Sequence, residues 1–192
     1  MQNIPVRAFT QNMDWLNKSF INIVIMNILT FSLLLFTTIV SAQQQGDNTS
    51  VPQSFDVFMY QTPEFFIKSE LPSRLQLTMK NNDTSFCLIS LYKSQAAQQD
   101  IIKDVIAQWN EYVRKPLSKA DKKPGRILTE QLWDGWASTL AIGNFYQGKK
   151  KCVVMLSSFR KDKTSACAVF SFSDKIFKGP IETFSKNLHL IN

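Results

Sequence analysis

Residues 136–172 read WASTLAIGNFYQGKKKCVVMLSSFRKDKTSACAVFSF, and the fold turns on how this stretch divides. Three runs, Trp136 to Tyr146, Lys150 to Phe159 and Ser165 to Phe172, are dense in β-branched, aromatic and other apolar residues, the composition of a strand packed on a core. The links between them, QGK and RKDKT, are short and polar. Parallel neighbours need a crossover of about a dozen residues or more, so links this short join antiparallel strands. The stretch is read as a three-strand meander. Closure through Arg160 to Thr164 sets Cys167 opposite about residue 157. Cys152 then lies about 16 Å away along the strand, at ~3.3 Å per residue, too far for a disulfide with Cys167.

Upstream, Leu75, Leu77 and Met79 alternate with Gln76, Thr78 and Lys80, the period of a half-buried strand. Asn81-Asn82-Asp83 tolerates a turn, and SFCLISLY over Ser85 to Tyr92 returns as the second arm of a hairpin. Phe65 to Lys68 is a shorter strand candidate ahead of it. Between Gln95 and Val113 the period becomes helical. Ile101, Val105, Ile106, Trp109, Tyr112 and Val113 share one face, while Gln99, Lys103, Gln108 and Glu111 fall elsewhere. Ser94 is read as the N-cap, Pro116 as the stop, and Trp109 as the residue that packs the helix on the sheet.

Residues 114–126, RKPLSKADKKPGR, carry six basic side chains against one acidic and form a connecting loop. Ile127 to Thr129 is another short strand. Past Ser173, Asp174 to Phe177 makes one turn, and Pro180 opens a short helix with Ile181, Phe184 and Leu188 on one face. The order is hairpin, helix, short strand, meander, helix. It gives an α+β domain, a mostly antiparallel sheet packed by two helices.

The N-terminal third has a different character. FINIVIMNILTFSLLLFTTIV, over Phe20 to Val40, holds no charge; Lys18 stands before it and Val40-Ser41-Ala42 after it. A positive flank, an apolar run and small residues at the end describe a secretory signal cut after Ala42. The run is also long enough to cross a bilayer, so a retained anchor over 20–40 is the alternative. The chain divides into a signal over 1–42, a flexible polar lead-in over 43–54 and a single domain over 55–192. The expected location is periplasmic or extracellular.

Several short motifs resemble those of a family of uncharacterised exported proteins of Bacteroidetes. They are Asp134-Gly135-Trp136 before a strand, Gly148-Lys149-Lys150 in the next turn, and Phe184 with Leu188 and Leu190 near the C-terminus. Cys87 and Trp109 resemble that family's second-strand Cys and first-helix Trp. Where the family has a Pro-Gly-Trp turn near its first strand, Thr62-Pro63-Glu64-Phe65-Phe66 stands here. The element order is also similar to the Mog1/PsbP-like α/β/α sandwich. The resemblance implies fold and export, and no particular activity.

Residues that would carry chemistry are few. Gly143 to Lys150, GNFYQGKK, misses a phosphate-binding loop at its last position, where Lys150 replaces the hydroxyl that holds Mg²⁺. A hairpin turn accounts for both of its glycines. The single His, His189, comes with no nucleophile elbow, and Glu64, Glu70, Glu130 and Asp134 lack a diagnostic spacing. Cys87, Cys152 and Cys167 show no metal or redox spacing and read as buried thiols. No cofactor is implied.

The contact candidates are Trp133, Asp134 and Trp136, either a ligand wall or the closure of a core, and Phe145, Tyr146, Lys149 and Lys150 at a basic turn. The net charge is +7 and the isoelectric point near 9.4. Basic clusters fall at Lys149 to Lys151, Lys119 to Arg126, and Arg160, Lys161 and Lys163. In an exported protein they point to an envelope protein, an anionic polysaccharide or a lipid surface rather than nucleic acid. The sequence thus reads as a non-enzymatic binding or accessory module, with a small hydrolase lacking a recognisable motif as the alternative.

Overall fold

The computed structural model describes residues 51–191 apart from 83, 118, 129 and 130. The signal over 1–42 and most of the lead-in fall outside the described residues. The elements are β1 (Gln53–Phe55), β2 (Phe58–Tyr60), β3 (Ile67–Leu71), β4 (Arg74–Asn82), β5 (Ser85–Ala96) and α1 (Ile101–Gln108), which continues as a π-helix over Trp109–Arg114. Then come β6 (Arg126–Ile127), β7 (Gln131–Trp133), β8 (Trp136–Gln147), β9 (Lys150–Lys161), β10 (Thr164–Phe172), α2 (Lys178–Lys186) and β11 (His189–Leu190).

The large sheet runs β3-β4-β5-β10-β9-β8-β6, with β7 also paired to β8. The described pairings are antiparallel throughout. β8, β9 and β10 form the expected meander. The turn from β9 to β10 is tighter than expected, because Lys161 pairs with Thr164 and only Asp162 and Lys163 lie between. Asp162 takes the left-handed conformation this requires, at φ 52°. Cys167 accordingly faces Ser158 rather than residue 157.

Successive side chains of a strand point to opposite faces, and both faces of this sheet are covered. Cys152, Val154 and Leu156 of β9 belong to one core with Val105, Trp109 and Val113 of α1. Val153, Met155 and Phe159 belong to the other, with Ile181 and Phe184 of α2. The second core also takes Phe58, Tyr60 and Leu190 from a small sheet, β1-β2-β11, laid over the same face. Burial on both sides explains why the central strands read as nearly unbroken apolar runs. The architecture is α+β, mostly antiparallel with two helices, in the layered order of a Mog1/PsbP-like sandwich.

The structure departs from the sequence reading in several further places; the strands read from Phe65 and from Ile127 are found at Ile67–Leu71 and Arg126–Ile127. The helix is capped by Asp100, whose carboxylate accepts from Lys103 N at 2.8 Å, not by Ser94. Residues 93–96 instead extend β5, because β10 reaches far enough to pair with Gln95 and Ala96. Gln53 and Ser54, read as lead-in, pair with Tyr60 and Met59 in β1. Gly143 is no turn residue: it lies inside β8, where a Cβ would stand 2.7 Å from Cη2 of Trp109. Trp109 itself is 1% exposed and packs α1 on the sheet as expected.

Candidate functional site

The meander gives the sheet two ends. One carries the β8–β9 turn, the β4–β5 turn and the exit of β10; the other carries the β9–β10 turn and the start of β8. Because α1 follows β5, it begins at the second end and its π-helical extension finishes at the first. The loop after it is pinned there by Asp121. Asp121 N donates to Asn144 O at 2.9 Å, and its carboxylate accepts from Asn144 N at 2.8 Å and Asn144 Nδ2 at 3.1 Å. Trp109 Nε1 donates to Asp121 O at 3.0 Å. This clamp brings Lys122 and Lys123 beside the strand whose continuation holds Tyr146 and Lys149. Two basic segments nearly thirty positions apart in sequence therefore share one end.

Within that end the candidates divide. Lys150 is turned inward: its Nζ reaches Asp174 Oδ2 at 2.9 Å and Thr84 O at 3.0 Å, tying three turns together. Burial works to raise the Asp174 carboxyl, but hydrogen bonds from Lys150, Ser85 and Ser173 and the lysine charge outweigh it, so it lies below its usual value. Phe145 is buried against Phe86, ring centroids 6.3 Å apart. Lys149, Lys151 and Tyr146 are exposed.

Trp133, Asp134 and Trp136 occupy the other end of β8. Asp134 and Gly135 have φ 51° and 81°, the pair of positive values that a two-residue hairpin turn demands between Trp133 and Trp136. Asp134 Oδ2 accepts from Leu190 N at 2.9 Å and stands 3.4 Å from His189 Nδ1. Trp133 Nε1 donates to Leu188 O at 3.2 Å, and Trp136 is buried in the core at 3% exposure. These residues staple the C-terminal segment to the sheet. They do not meet Tyr146 or Lys149, and neither does the Arg160–Lys163 cluster, which lies at this second end.

Sequence reasoning missed a buried polar row beneath α1. Asp104, wholly buried, pairs with Arg160 at 2.9 Å and accepts from Gln98 N at 2.7 Å. Gln108, expected away from the packed face, is 1% exposed and donates to Ser165 Oγ at 2.6 Å. Gln108 Oε1, Thr139 Oγ1 and Ser158 Oγ are buried with no partner among the described residues. The only sequence signal was the i, i+4 spacing of Asp104 and Gln108 beside Val105.

The three cysteines are unbridged and buried. Burial pushes the thiol of Cys87 up to about 12 and that of Cys152 up to about 11, and raises Cys167 as well. Cys87 belongs to the core on the α2 side and the other two to the core on the α1 side. Among the described residues no group of His, Cys, Asp or Glu could hold a metal ion, and no helix is long and apolar enough to cross a membrane.

No family model matches this sequence, and no curated protein matches it. Among solved structures, it is similar to the cyanobacterial PsbP (CyanoP) of Synechocystis sp. PCC 6803, with a TM-score of 0.53 at 9% identity over 78% of this chain and 97% of that one. A protein from Bacteroides thetaiotaomicron VPI-5482 gives 0.44 at 11% identity, over 71% of this chain and 46% of that one. This chain thus spans under half the length of that protein. LpqN, described as involved in cell envelope biogenesis of Mycobacterium tuberculosis, gives 0.49 at 8% identity, over 70% and 83% of the two chains. The likeness to CyanoP shows the fold alone.

Proposed function

We propose that the chain is an exported, non-enzymatic binding module that docks through the basic end of its sheet onto an anionic partner in the cell envelope. One observation carries this reading: the Asp121–Asn144 clamp gathers Lys122 and Lys123 with Lys149 and Lys151 at one end. Lysines held by turns on a stiff sheet present charge without first having to order a loop, which favours association with a polyanion. The secretory signal read over 1–42 supplies the compartment. Membership of the exported Bacteroidetes family belongs to the same proposal and rests on the short motifs alone.

The test separates place from net charge. Lys122→Glu, Lys123→Glu and Lys151→Glu together should cut the affinity for dextran sulfate at physiological salt by about a hundredfold, each lysine being worth about 1 kcal/mol near an anionic surface. Lys93→Glu, Lys163→Glu and Lys186→Glu, the same charge change at the opposite end, should leave it within about twofold. Equal losses from the two triples would reduce the effect to net charge and end the reading.

A further inference from the structure

Each edge of the large sheet leaves a strand with one neighbour, whose outward N–H and C=O groups can take up a further strand. At one edge β6 and β7 share that place, and they are only two and three residues long. At the other edge stands β3, Ile67–Leu71, whose neighbour among the described residues is β4 alone. Its residues up to Glu70 are exposed, Ile67 at 75%. Bulges and central prolines are common ways of blunting such an edge, and β3 has neither, its register with β4 running unbroken. A lysine on the edge is another such device. Here Lys68 is accompanied by Glu70, and the pair changes what the edge can do.

The register fixes which backbone groups of β3 face outward. Lys93 N donates to Ser73 O at 3.1 Å, so the backbone of Ser73 faces β5. Alternation then turns Arg74, Gln76 and Thr78 toward β3, where they pair with Leu71, Ser69 and Ile67. Lys68 and Glu70 are left with N–H and C=O directed away from the sheet. Pairing stops on either side of them. Phe66 N already donates to Pro63 O at 3.2 Å, and Pro72 has no N–H to give.

We infer that β3 pairs antiparallel with β3 of a second copy, about a two-fold axis at Ser69. Antiparallel strands bond through residues that both face the seam, so a symmetric pairing of these groups centres on Lys68, Ser69 or Glu70. Centring on Lys68 or on Glu70 sets like charges directly opposite, which is unfavourable. Centring on Ser69 sets Lys68 against Glu70 of the second copy and Glu70 against its Lys68, each pair exchanging both N–H···O bonds. Within one strand Lys68 Nζ already stands 3.6 Å from Glu70 Oε2, so the charges alternate in sign both along the strands and across the seam. On the opposite face Ile67 meets Leu71 of the second copy, which covers an exposed side chain. IKSEL is its own antiparallel complement, and an isologous contact of this kind closes after two copies. A five-residue seam is smaller than the ~1,200 Å² of a standard stable interface, so the dimer is a reversible one.

Sedimentation velocity over a concentration series of the purified protein should show a monomer–dimer equilibrium. Lys68→Glu and Glu70→Lys, each alone, set like charges across the seam and should weaken self-association by about tenfold or more. Mixed together, the two variants should associate as well as the unaltered protein, because each supplies the charges the other needs. Both side chains are exposed, and circular dichroism with melting temperature checks that the variants fold. Ser69→Cys should crosslink under mild oxidation, since Cα atoms in a non-hydrogen-bonded pair stand about 4.5 Å apart, within disulfide reach. Leu132→Cys, exposed on β7 at the other edge, should not. The native thiols are buried and do not compete. A monomer at every concentration, single charge variants that associate as well as the unaltered protein, or equal crosslinking from the two cysteine variants would each overturn the dimer. None of these results touches the proposed role of the basic end, which dextran sulfate binding reads separately.

Discussion

At the scale of single residues, Gly143 and Trp109 make one joint. The Cη2 and Cζ2 edge of the Trp109 ring occupies the space a Cβ on Gly143 would need. The ring is held by the bond from Nε1 to Asp121 O, so it cannot readily turn aside for a new methyl group. Gly143→Ala should destabilise the fold by about 1–3 kcal/mol, the range for overpacking a tight core. Urea denaturation checks this, and Trp109→Phe in the same background should recover part of the loss. The importance of Trp109 was legible from its place on the apolar face of the helix. The role of Gly143 was not, since GNFYQG reads equally well as turn chemistry, and only the register of β8 against β9 places Gly143 opposite Val154. Asp134-Gly135 is the converse case: its turn was written in the dipeptide, while the bond from Leu190 N to Asp134 depends on a partner fifty-six residues away.

At the scale of elements, α1 is attached by unlike halves. Val105, Trp109 and Val113 pack on apolar strand residues, whereas Asp104 and Gln108 meet Arg160 and Ser165. Arg160→Met keeps most of the packing but leaves the Asp104 carboxylate buried without its charge partner. That should cost about 3–5 kcal/mol. Adding Asp104→Asn should return part of it, and equilibrium unfolding of the two single variants and the double gives the coupling directly. A loss under about 1 kcal/mol for Arg160→Met would show the pair to be solvated. The start of this helix was misread for a physical reason. Lys93, Ser94 and Gln95 are polar and the run to Ala96 is mostly exposed, so nothing local marks it as strand; Gln95 and Ala96 pair because Ser165 and Thr164 lie opposite. The three-residue strands β1 and β2 are likewise too short to show a period.

For the whole molecule, the layered order was legible because strand runs and helical periods are local, and the links of the meander are too short for crossovers. Which turns share an end was not, because that depends on counting strands correctly and on a loop clamp at Asp121. Lys119 to Arg126 and Lys149 to Lys151 looked no more related than either did to Lys161 and Lys163, yet the topology unites the first two and sends the third away. Which lysines share an end is thus a property of strand order, not of composition.

β9 spans from the basic end to the opposite end without interruption, twelve residues over Lys150–Lys161. At ~3.3 Å per residue it is a strut of about 36 Å, several times the ~8 Å over which charge is felt at physiological salt. A molecule standing on its basic end therefore holds the Asp134–His189 end in bulk solvent, electrically insulated from the surface it stands on. Förster transfer to an acceptor carried on bound dextran sulfate reads this distance: a dye at position 149 should be strongly quenched and one at position 163 weakly. Equal quenching would lay the molecule on its side. Docked by its basic end as proposed, the molecule would set about 36 Å between its anionic partner and whatever meets its far end.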